Sequence, residues 1–242
     1  MRRAIILAGG KGSRLRPYTI VLPKPLMPIG DFPILEVVVR QLVRDGFEHI
    51  SMAVNHQASL IRAFFGDGSK WSIKIDYYEE DEPMGTMGSL NKINDLPENF
   101  LIMKGDILTD LNYKEFYDNH LKNKSLFTIG AKKRLQPIDY GVLESNQKGF
   151  LQSFIEKPKK EYLVSMGIYM ANKNIKKHIP NSFFGFDNLM LDLLSKNKPI
   201  KLYEFNGYWL DIGKPDDYIK AIDDFEVLKD RLLWKKFWLL DQ

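Results

Sequence analysis

Apolar runs rich in valine, isoleucine and phenylalanine alternate along the chain with longer segments in which apolar residues recur at helical spacing. Short runs of this composition predict buried strands, and the longer periodic segments predict helices. In the first half the predicted strands are 4–8, 50–55, 73–78, 100–104 and 126–131. The helices predicted between them are 33–44, 58–65, 86–93 and 113–121. Regular alternation of strand and helix predicts an α/β layered fold.

The second half contains more strands, which are predicted at 141–145, 151–155, 163–170 and 200–205. Helices are predicted at 187–194 and from Asp216 onward. No internal repeat, low-complexity segment or linker interrupts the sequence. We therefore expect a single domain over residues 1–242, with its ligand site where loops leave the carboxyl ends of strands.

Composition narrows the classes of function. The 242 residues contain no cysteine, which excludes disulfides and thiolate metal sites and fits a cytoplasmic protein. The chain has 35 basic and 31 acidic side chains, mixed along its length, with a net charge of +4. This distribution suits a small anionic ligand better than a nucleic acid, which requires a clustered basic stripe. No apolar stretch is long enough to span a membrane.

The first predicted strand ends in a glycine-rich turn, LAGGKGSRLRP, at residues 7–17. Its glycines let the backbone approach a ligand closely and donate N–H groups, and Arg14 can bind phosphate oxygens through two hydrogen bonds. The spacing fits neither G-x-x-x-x-G-K-[ST] nor G-x-G-x-x-G, because Lys11 precedes Gly12 and Leu15 stands at the third glycine position. The turn alone is equally compatible with a strand-to-helix connection whose basic side chains are solvated.

The segment after this turn favours a phosphate site. Lys24 lies between two prolines in LPKPLMP, and prolines stiffen the backbone by fixing φ. A cation held on a stiff segment just after a glycine-rich turn is poorly explained by solubility. We therefore interpret the turn and Lys24 together as a binding site for a phosphate group.

Residues 7–25 resemble the signature of the sugar-1-phosphate nucleotidyltransferases, L-x-G-G-x-G-[ST]-R-L-x-P followed by P-K-P. The resemblance continues in order through EPMGTMG (82–88), KGDILTD (104–110), DYGVLE (139–144), FIEKP (154–158), MGIYM (166–170) and GYWLDIGKPDDY (207–218). The family's own versions of the first two of these segments are E-P-L-G-T-A-G, which binds the base, and N-G-D, which binds metal. Each short segment alone is a weak signal, but the ordered series is a strong one.

The resemblance implies a three-layer αβα domain with a Rossmann-like mixed sheet. It also implies a nucleotide-binding half at about 1–135, a sugar-binding half at about 136–215 and a C-terminal helix at about 216–240. Members of the family join a sugar 1-phosphate to a nucleoside triphosphate and release pyrophosphate. Because the sugar phosphate attacks the α-phosphorus directly, catalysis depends on positioning and charge neutralisation rather than on a nucleophilic side chain.

Roles for individual residues follow from the same resemblance. Arg14 and Lys24 are expected to be catalytic, Arg14 on the leaving β- and γ-phosphates and Lys24 on the α-phosphate in the transition state. The nucleotide is expected to contact Leu7, Ala8, Gly9, Gly10, Lys11, Gly12, Ser13, Arg14, Glu82, Gly85 and Thr86. The sugar phosphate is expected to contact Tyr140, Gly141, Glu156, Lys157 and Ser165. Asp106 and Asp211 are expected to hold Mg²⁺ through carboxylate oxygens.

Each of these aspartates also has a structural interpretation. Asp106 could be a turn or capping residue after a strand, with Asp110 as a structural alternative, and Asp211 could cap the helix that begins near Lys214. Taken alone, each structural interpretation is the better one. The matching motif context of both aspartates favours the metal site, so Mg²⁺ is the expected cofactor.

Two departures from the family pattern bear on the substrates. The family usually has asparagine in N-x-G-[IM]-Y, where this chain has Ser165, and Met84 and Met87 replace the commoner leucine and alanine of the base loop. The L-A-G-G turn and G-T-x-G loop most resemble mannose-1-phosphate guanylyltransferases. This favours GTP with mannose 1-phosphate or a related hexose or heptose 1-phosphate. A dTTP-, CTP- or UTP-dependent sugar-1-phosphate nucleotidyltransferase is the alternative.

Two other classes of protein share parts of this pattern. A catalytically silent regulatory subunit would bind nucleotide, but such relatives typically lose the loop arginine, the PKP lysine or a metal aspartate, all of which are present here. A glycosyltransferase of similar topology would need an Asp-x-Asp metal motif, whereas Asp106 and Asp110 are four positions apart. We therefore expect an enzyme whose partners are an NTP and a sugar 1-phosphate.

The chain ends on apolar residues at helical spacing, which are Phe225, Leu228, Leu232, Trp234, Phe237 and Trp238. A terminal helix of this kind most often packs on its own core. A homo-oligomer interface is the second interpretation, and contact with a membrane surface is a distant third.

Overall fold

The computed structural model describes residues 1–79 and 84–233. Its strands are β1 (Arg2–Leu7), β2 (Pro28–Ile29), β3 (Phe32–Pro33), β4 (Phe47–Val54), β5 (Lys74–Glu79), β6 (Asn99–Lys104), β7 (Ile107–Thr109), β8 (Phe127–Pro137), β9 (Val142–Ser145), β10 (Leu151–Ile155), β11 (Lys159–Asn172), β12 (Ile200–Glu204) and β13 (Trp209–Asp211). Its α-helices are α1 (Ile34–Arg44), α2 (Ala58–Phe65), α3 (Gly85–Gly88), α4 (Tyr113–Asn123), α5 (Phe186–Ser195) and α6 (Pro215–Leu233). Short 3-10 helices lie at Ser13–Leu15, Lys24–Leu26, Ser69–Trp71, Ser89–Lys92 and Lys173–His178.

The main sheet has the strand order β12-β8-β11-β6-β1-β4-β5. β1 lies near its centre and pairs in parallel with β4 and β6, so that Leu7 is opposite Ala53 on one side and Lys104 on the other. β11 pairs antiparallel with β6 and with β8, which makes the sheet mixed. Because the chain adds strands first on one side of β1 and then on the other, the carboxyl end of β1 is a topological switch point, where ligands bind in such sheets.

Helices cover both faces of this sheet. On one face α1, α2 and α4 bury residues such as Leu35, Ile61 and Phe116 against β1, β4 and β6. On the other face α3 and α5 bury Met87 and Leu189 against alternate side chains of β1 and β6 and against β8 and β11. Each fully buried leucine or phenylalanine stabilises the fold by about 1.5–3 kcal/mol. The predicted three-layer αβα arrangement is confirmed.

The last described helix, α6, packs across α1 and the loops near the start of the chain. Its Phe225 is fully buried and fills the space beside Gly30, where an added Cβ would lie 2.7 Å from the phenyl ring. Leu232 is also fully buried, so the prediction that the terminal helix packs on its own core is confirmed for these two residues. The remaining aromatic residues of that pattern, Trp234, Phe237 and Trp238, lie outside the described residues. None of the helices within 1–79 and 84–233 combines the length and apolar character that crossing a bilayer requires.

Sequence patterns missed the shortest strand pairs and the length of two strands. β7 and β13 form a three-residue antiparallel pair, and three residues are too few to show an alternating pattern. β8 and β11 extend beyond the predicted strands and pair with each other from Ala131 to Pro137 and from Lys159 to Ser165. Together with the β9–β10 hairpin these extensions form a segment, residues 132–164, that we call the β-arm. The β-arm is mostly solvent-exposed.

A buried histidine joins α4 to the sheet. His120 is 1% exposed, its Nδ1 lies 2.7 Å from Thr128 Oγ1, and its Nε2 lies 3.2 Å from Asn99 Oδ1. Burial lowers the pKa of His120 to about 4 because the charged imidazolium would be desolvated. The folded protein therefore keeps this side chain neutral between about pH 4 and its ordinary pKa of about 6.5.

His120 is expected to make the free energy of unfolding fall as the pH decreases from about 6.5 to about 4. In this window the unfolded chain binds a proton at His120 and the native protein does not, so acid favours unfolding by about 1.4 kcal/mol per pH unit. Urea denaturation at several pH values compares the wild type with His120→Gln, in which no imidazole titrates. The variant should lose less stability across this window, and equal slopes for the two proteins would contradict the assignment.

Candidate active site

The glycine-rich turn directly follows β1 at the switch point of the sheet. Gly12 has a φ of +60°, which side chains rarely adopt, and a Cβ there would lie 3.0 Å from Thr19 Cγ2 and 3.3 Å from Lys24 Cβ. Thr19 Oγ1 donates a 2.7 Å hydrogen bond to the carbonyl oxygen of Gly12. The turn is therefore packed against the segment that carries Lys24, and glycine is needed where the two meet.

A cavity of about 410 Å³ opens beside this turn, which is within the size range of small-molecule sites. Among the residues predicted to act on nucleotide or metal, its lining includes Leu7, Ala8, Gly9, Gly10, Gly12, Ser13, Arg14, Lys24, Gly85, Thr86 and Asp106. Within the described part of the turn, Lys11 is exposed and does not line the cavity. Glu82 lies outside the described residues.

Another wall of the cavity comes from α3 and the loop that precedes α5. Gly85 has a φ of +77°, and a Cβ there would lie 2.7 Å from the carbonyl oxygen of Phe184. The backbone N–H of Phe186 donates a 2.9 Å hydrogen bond to Thr86 Oγ1. These contacts hold the two segments together and place Phe183, which is 68% exposed, in the cavity lining. An aromatic face is therefore accessible beside Thr86.

Four charged side chains meet at the end of β6. Lys24 forms an ion pair with Asp106. Lys104 Nζ donates hydrogen bonds to both carboxylate oxygens of Asp211, at 2.7 and 2.6 Å, and lies 3.6 Å from Asp106 Oδ1. Lys24, Lys104 and Asp106 line the cavity, and Asp211 is joined to it through Lys104. The two positive and two negative charges balance each other.

The cavity lining as a whole is suited to a polyphosphate. The turn after β1 offers backbone N–H groups at glycines, which approach a ligand without hindrance from side chains. Arg14, Lys24 and Lys104 add three cations to the same lining. Arginine binds phosphate oxygens in pairs, and lysine binds them as a point charge. The arrangement can therefore hold several adjacent phosphate groups.

Residues 3–227 match the model of a protein family described as "Nucleotidyl transferase". This chain belongs to the nucleotidyl transferase family. It is 31% identical over 231 residues to a mannose-1-phosphate guanyltransferase of Aspergillus oryzae, an alignment that covers 90% of this chain and 63% of that protein. It is 29% identical over 228 residues to the mannose-1-phosphate guanylyltransferase catalytic subunit beta of Drosophila pseudoobscura, with 91% and 61% covered. The chain thus spans less than two thirds of the length of these curated relatives.

Solved structures of HddC from Yersinia pseudotuberculosis share the fold of this nucleotidyl transferase. One superposes with a TM-score of 0.72 at 29% identity and covers 93% of this chain and 100% of that chain. A second, of the same protein complexed with GMP-PN, has a TM-score of 0.71 at 28% identity and the same coverage. The mixed sheet and its flanking helices are therefore those of known members of the family.

The residues predicted to contact the sugar phosphate lie on the β-arm or at its base in this nucleotidyl transferase. Tyr140 is 79% exposed, and a Cβ added to Gly141 would lie 3.1 Å from Glu156 Oε2, so the two segments of the β-arm that carry them are adjacent. Lys157 follows with a φ of +43° and is exposed. None of these four described residues lines the cavity. The structure therefore places these four predicted sugar residues on the β-arm and outside the lining of the cavity.

Ser165, at the base of the β-arm, is engaged in local hydrogen bonds. Its Oγ donates to Tyr169 Oη at 3.2 Å and accepts from the backbone N–H of Gly167 at 3.2 Å. Burial raises the pKa of Tyr169 to about 12, and the hydrogen bond from Ser165 opposes this rise. The tyrosine hydroxyl is thus protonated at neutral pH. Ser165 closes the turn at Gly167 in addition to its predicted contact with sugar.

Members of this family generally use a divalent metal ion. Asp106 Oδ1 is buried and has no hydrogen-bond partner among the described residues, so it fits a metal ligand. Both oxygens of Asp211, in contrast, accept hydrogen bonds from Lys104. Within 1–79 and 84–233 no group of three acidic, histidine or cysteine side chains is placed to hold a metal. Asp106 therefore has an oxygen available for an ion, whereas both oxygens of Asp211 are engaged by Lys104, and the assignment of the two aspartates to one metal site stays a prediction.

Of the cavity-lining residues that the sequence analysis did not assign to the site, Lys104 and Phe183 are the two that left a signal in the sequence. Lys104 stands where the family segment N-G-D has asparagine, so the departure was visible in the motif itself. Phe183 belongs to the segment NSFFGFD, where adjacent phenylalanines precede a glycine outside any regular apolar pattern. Phe184 and Phe186 pack against the core, whereas Phe183 is exposed, and an exposed aromatic residue beside a cavity indicates a binding surface.

Asp110, the alternative carboxylate of the same motif, has structural contacts. Its Oδ1 accepts a 2.7 Å hydrogen bond from the backbone N–H of Tyr208, and its Oδ2 pairs with Arg231. The side chain is only 8% exposed. Asp110 thus ties the segment before β13 to the one after β7, and Asp106 is the carboxylate of this motif that faces the cavity.

Replacing Asp110 with alanine should destabilise the protein without changing nucleotide binding. The buried N–H of Tyr208 would lose a charged acceptor, which costs about 2 kcal/mol in the free energy of unfolding. Urea denaturation measures this loss, and titration with a fluorescent GTP analogue measures affinity. Asp106→Ala is the matched variant and should alter nucleotide binding in the presence of Mg²⁺. A change of about tenfold or more in the affinity of Asp110→Ala would place Asp110 in the site instead.

Proposed function

We propose that this chain joins a sugar 1-phosphate to a nucleoside triphosphate and releases pyrophosphate to form a nucleotide sugar. The best-supported substrates are GTP and mannose 1-phosphate or a related hexose or heptose 1-phosphate. The observation that carries the proposal is the cavity at the carboxyl end of β1, in which a glycine turn and three cations converge. A triphosphate can contact the N–H groups of the turn together with Arg14 and Lys24, while Lys104 stays paired with Asp211.

The reaction requires one bond to form and one to break at the α-phosphorus. An oxygen of the sugar phosphate forms the new bond, and the bond to the bridging oxygen of the β-phosphate breaks as pyrophosphate leaves. In our proposal backbone N–H groups of the turn and Arg14 bind the leaving phosphates, and Lys24 neutralises charge on the α-phosphate. Mg²⁺, held by Asp106 and phosphate oxygens, would supply further positive charge.

The nucleobase is assigned to the wall formed by α3 and the loop before α5. Phe183 offers an exposed aromatic face there, and bases stack on such faces irrespective of their identity. Thr86 lies beside it, and its Oγ1 accepts a hydrogen bond from the backbone of Phe186. Guanine is favoured over other bases because the relatives are named as guanylyltransferases and because HddC has been solved with GMP-PN.

The sugar 1-phosphate is assigned to the β-arm. Lys157 would bind its phosphate, and Glu156, with Tyr140 and the backbone of Gly141, would contact the sugar hydroxyls. The adjacency of Gly141 and Glu156 supports a single sugar subsite on this segment. Ser165, at the base of the β-arm, hydrogen-bonds Gly167, which lies beside the cavity-lining Lys104, so the proposed sugar subsite adjoins the nucleotide cavity at this end.

Pyrophosphate release with Mg²⁺ is the direct test of this proposal. GTP, UTP, dTTP, CTP and ATP are each combined with several hexose, amino-sugar and heptose 1-phosphates. We expect turnover with GTP and a manno-configured sugar 1-phosphate. Turnover with a different nucleotide would replace GTP as the assigned substrate. Nucleotide binding without turnover for any pair would favour the interpretation of the chain as a catalytically silent regulatory subunit.

Two substitutions should have opposite kinetic signatures. Phe183→Ala removes a stacking surface and should raise the KM for GTP by about tenfold with little change for the sugar phosphate. Lys157→Ala removes a charged phosphate contact and should raise the KM for the sugar phosphate by about tenfold with little change for GTP. Steady-state kinetics with each substrate varied in turn separates the two effects. If both variants affected the same substrate, one of the two assignments would be wrong.

A further inference from the structure

Lys104 lies between the two carboxylates that the sequence predicts to bind metal. Its Nζ donates to both oxygens of Asp211, at 2.7 and 2.6 Å, and lies 3.6 Å from Oδ1 of Asp106. The corresponding residue of the family segment N-G-D is a neutral asparagine. In this chain a full positive charge therefore stands next to both carboxylates.

The backbone around Lys104 has room for this side chain. Gly167 on β11 has a φ of +73°, and a Cβ at this position would lie 3.0 Å from Lys104 Cδ and 3.6 Å from its Cγ. A side chain at 167 would therefore press on the methylene groups of Lys104. Trp209 Nε1 fixes the neighbouring backbone by donating a 2.9 Å hydrogen bond to the carbonyl oxygen of Met166. The glycine at 167 thus leaves space for the lysine side chain, and the pair with Asp211 holds its ammonium group.

The charge balance of this group opposes the binding of a free cation. Asp106 pairs with Lys24, and Asp211 pairs with Lys104, so the four side chains carry no net charge. A divalent ion needs carboxylate oxygens that are not already neutralised. To use both aspartates it must displace Lys104 from Asp211, and to use Asp106 alone it must approach an oxygen that lies 3.6 Å from the Lys104 ammonium.

We propose that Lys104 is a tethered cation that neutralises Asp211 and prevents the nucleotide-free protein from binding a divalent ion through both aspartates. The ion then binds together with the triphosphate, whose oxygens supply the negative charge that the protein lacks. This inference rests on the proposed function for the identity of the site. It makes Lys104 a positioning residue that couples metal binding to nucleotide binding.

Mn²⁺ binding to the nucleotide-free protein, followed by electron paramagnetic resonance, is the test. The variants are Lys104→Asn, which restores the family residue, Lys104→Met, which removes only the charge, and Lys104→Arg, which keeps the charge. We expect the Asn and Met variants to bind one Mn²⁺ at least about tenfold more tightly than the wild type and the Arg variant, because the ion no longer meets a neighbouring ammonium. Lys173→Asn, which breaks an exposed pair with Glu98, is the control and should not change the affinity.

A second substitution tests the part played by Asp211. In the Lys104→Met background, Asp211→Asn should reverse the gain in Mn²⁺ affinity, whereas the same change in the wild-type background should have little effect. The inference is overturned if the nucleotide-free wild type binds Mn²⁺ as tightly as Lys104→Met. It is also overturned if the gain is limited to Lys104→Asn, since the amide would then act as a ligand, or if the gain survives Asp211→Asn.

Binding in the presence of GTP completes the experiment. The complex of wild-type protein and GTP should bind Mn²⁺ at least about tenfold more tightly than free GTP does. The reason is that Asp106 then contributes a ligand in addition to the phosphate oxygens. No increase over GTP alone would overturn the coupling. Since none of these measurements uses a sugar phosphate or turnover, a failure of the proposed reaction would leave their outcome unchanged.

Discussion

Charge neutralisation inside a partly buried cavity is the constraint on which the rest of this site depends. Asp106 is only 13% exposed, and an unpaired carboxylate in such a place is disfavoured, so its pair with Lys24 is needed to hold the charge. Asp211 and Lys104 are each about one third exposed, and their pair acts in partial contact with solvent. The fold therefore has to bring four separate segments of the chain to one place and hold them there.

The elements around the charges meet this requirement. Lys24 is held between prolines on a short 3-10 helix, and Lys104 ends β6 at the centre of the sheet. Asp211 ends β13, which pairs with β7 so that Asp211 is opposite Ile107, one residue after Asp106. This short pair is thus more important to the site than its length suggests. It positions a carboxylate from a distant part of the chain beside β6, and Asp110 reinforces it through Tyr208.

The sequence was sufficient to predict the layers of the fold and to identify residues from distant segments that line one cavity, and the two predictions have different physical reasons. The central strands are buried on both faces, so they read as continuous apolar runs such as AIIL in β1. The glycine turn was predictable because backbone approach to a phosphate and a positive φ at Gly12 both require glycine. β7 and β13 were not predictable, because a three-residue pair is stabilised by its surroundings and not by its own pattern. The full length of β8 and β11 was also missed, because their outer ends, KKRLQP and KKEY, are mostly polar and exposed and show neither an apolar run nor regular alternation.

The separation of the predicted sugar residues from the cavity has a physical basis in the ladder of β8 and β11. Within β11, residues 159–165 pair with β8 only, whereas residues 168–172 also pair with β6. The β-arm is therefore a two-stranded ladder with the β9–β10 hairpin at its end. Motif matching identifies the predicted sugar residues of the β-arm but not how far they lie from the cavity. The motifs do not show how far the ladder of β8 and β11 extends beyond the main sheet. The nucleotide residues follow strands at the centre of the sheet, and their positions are therefore fixed by the core. If the proposed site spans both regions, its nucleotide half is supported by the core and its sugar half rests on a two-stranded ladder, where local opening is less costly.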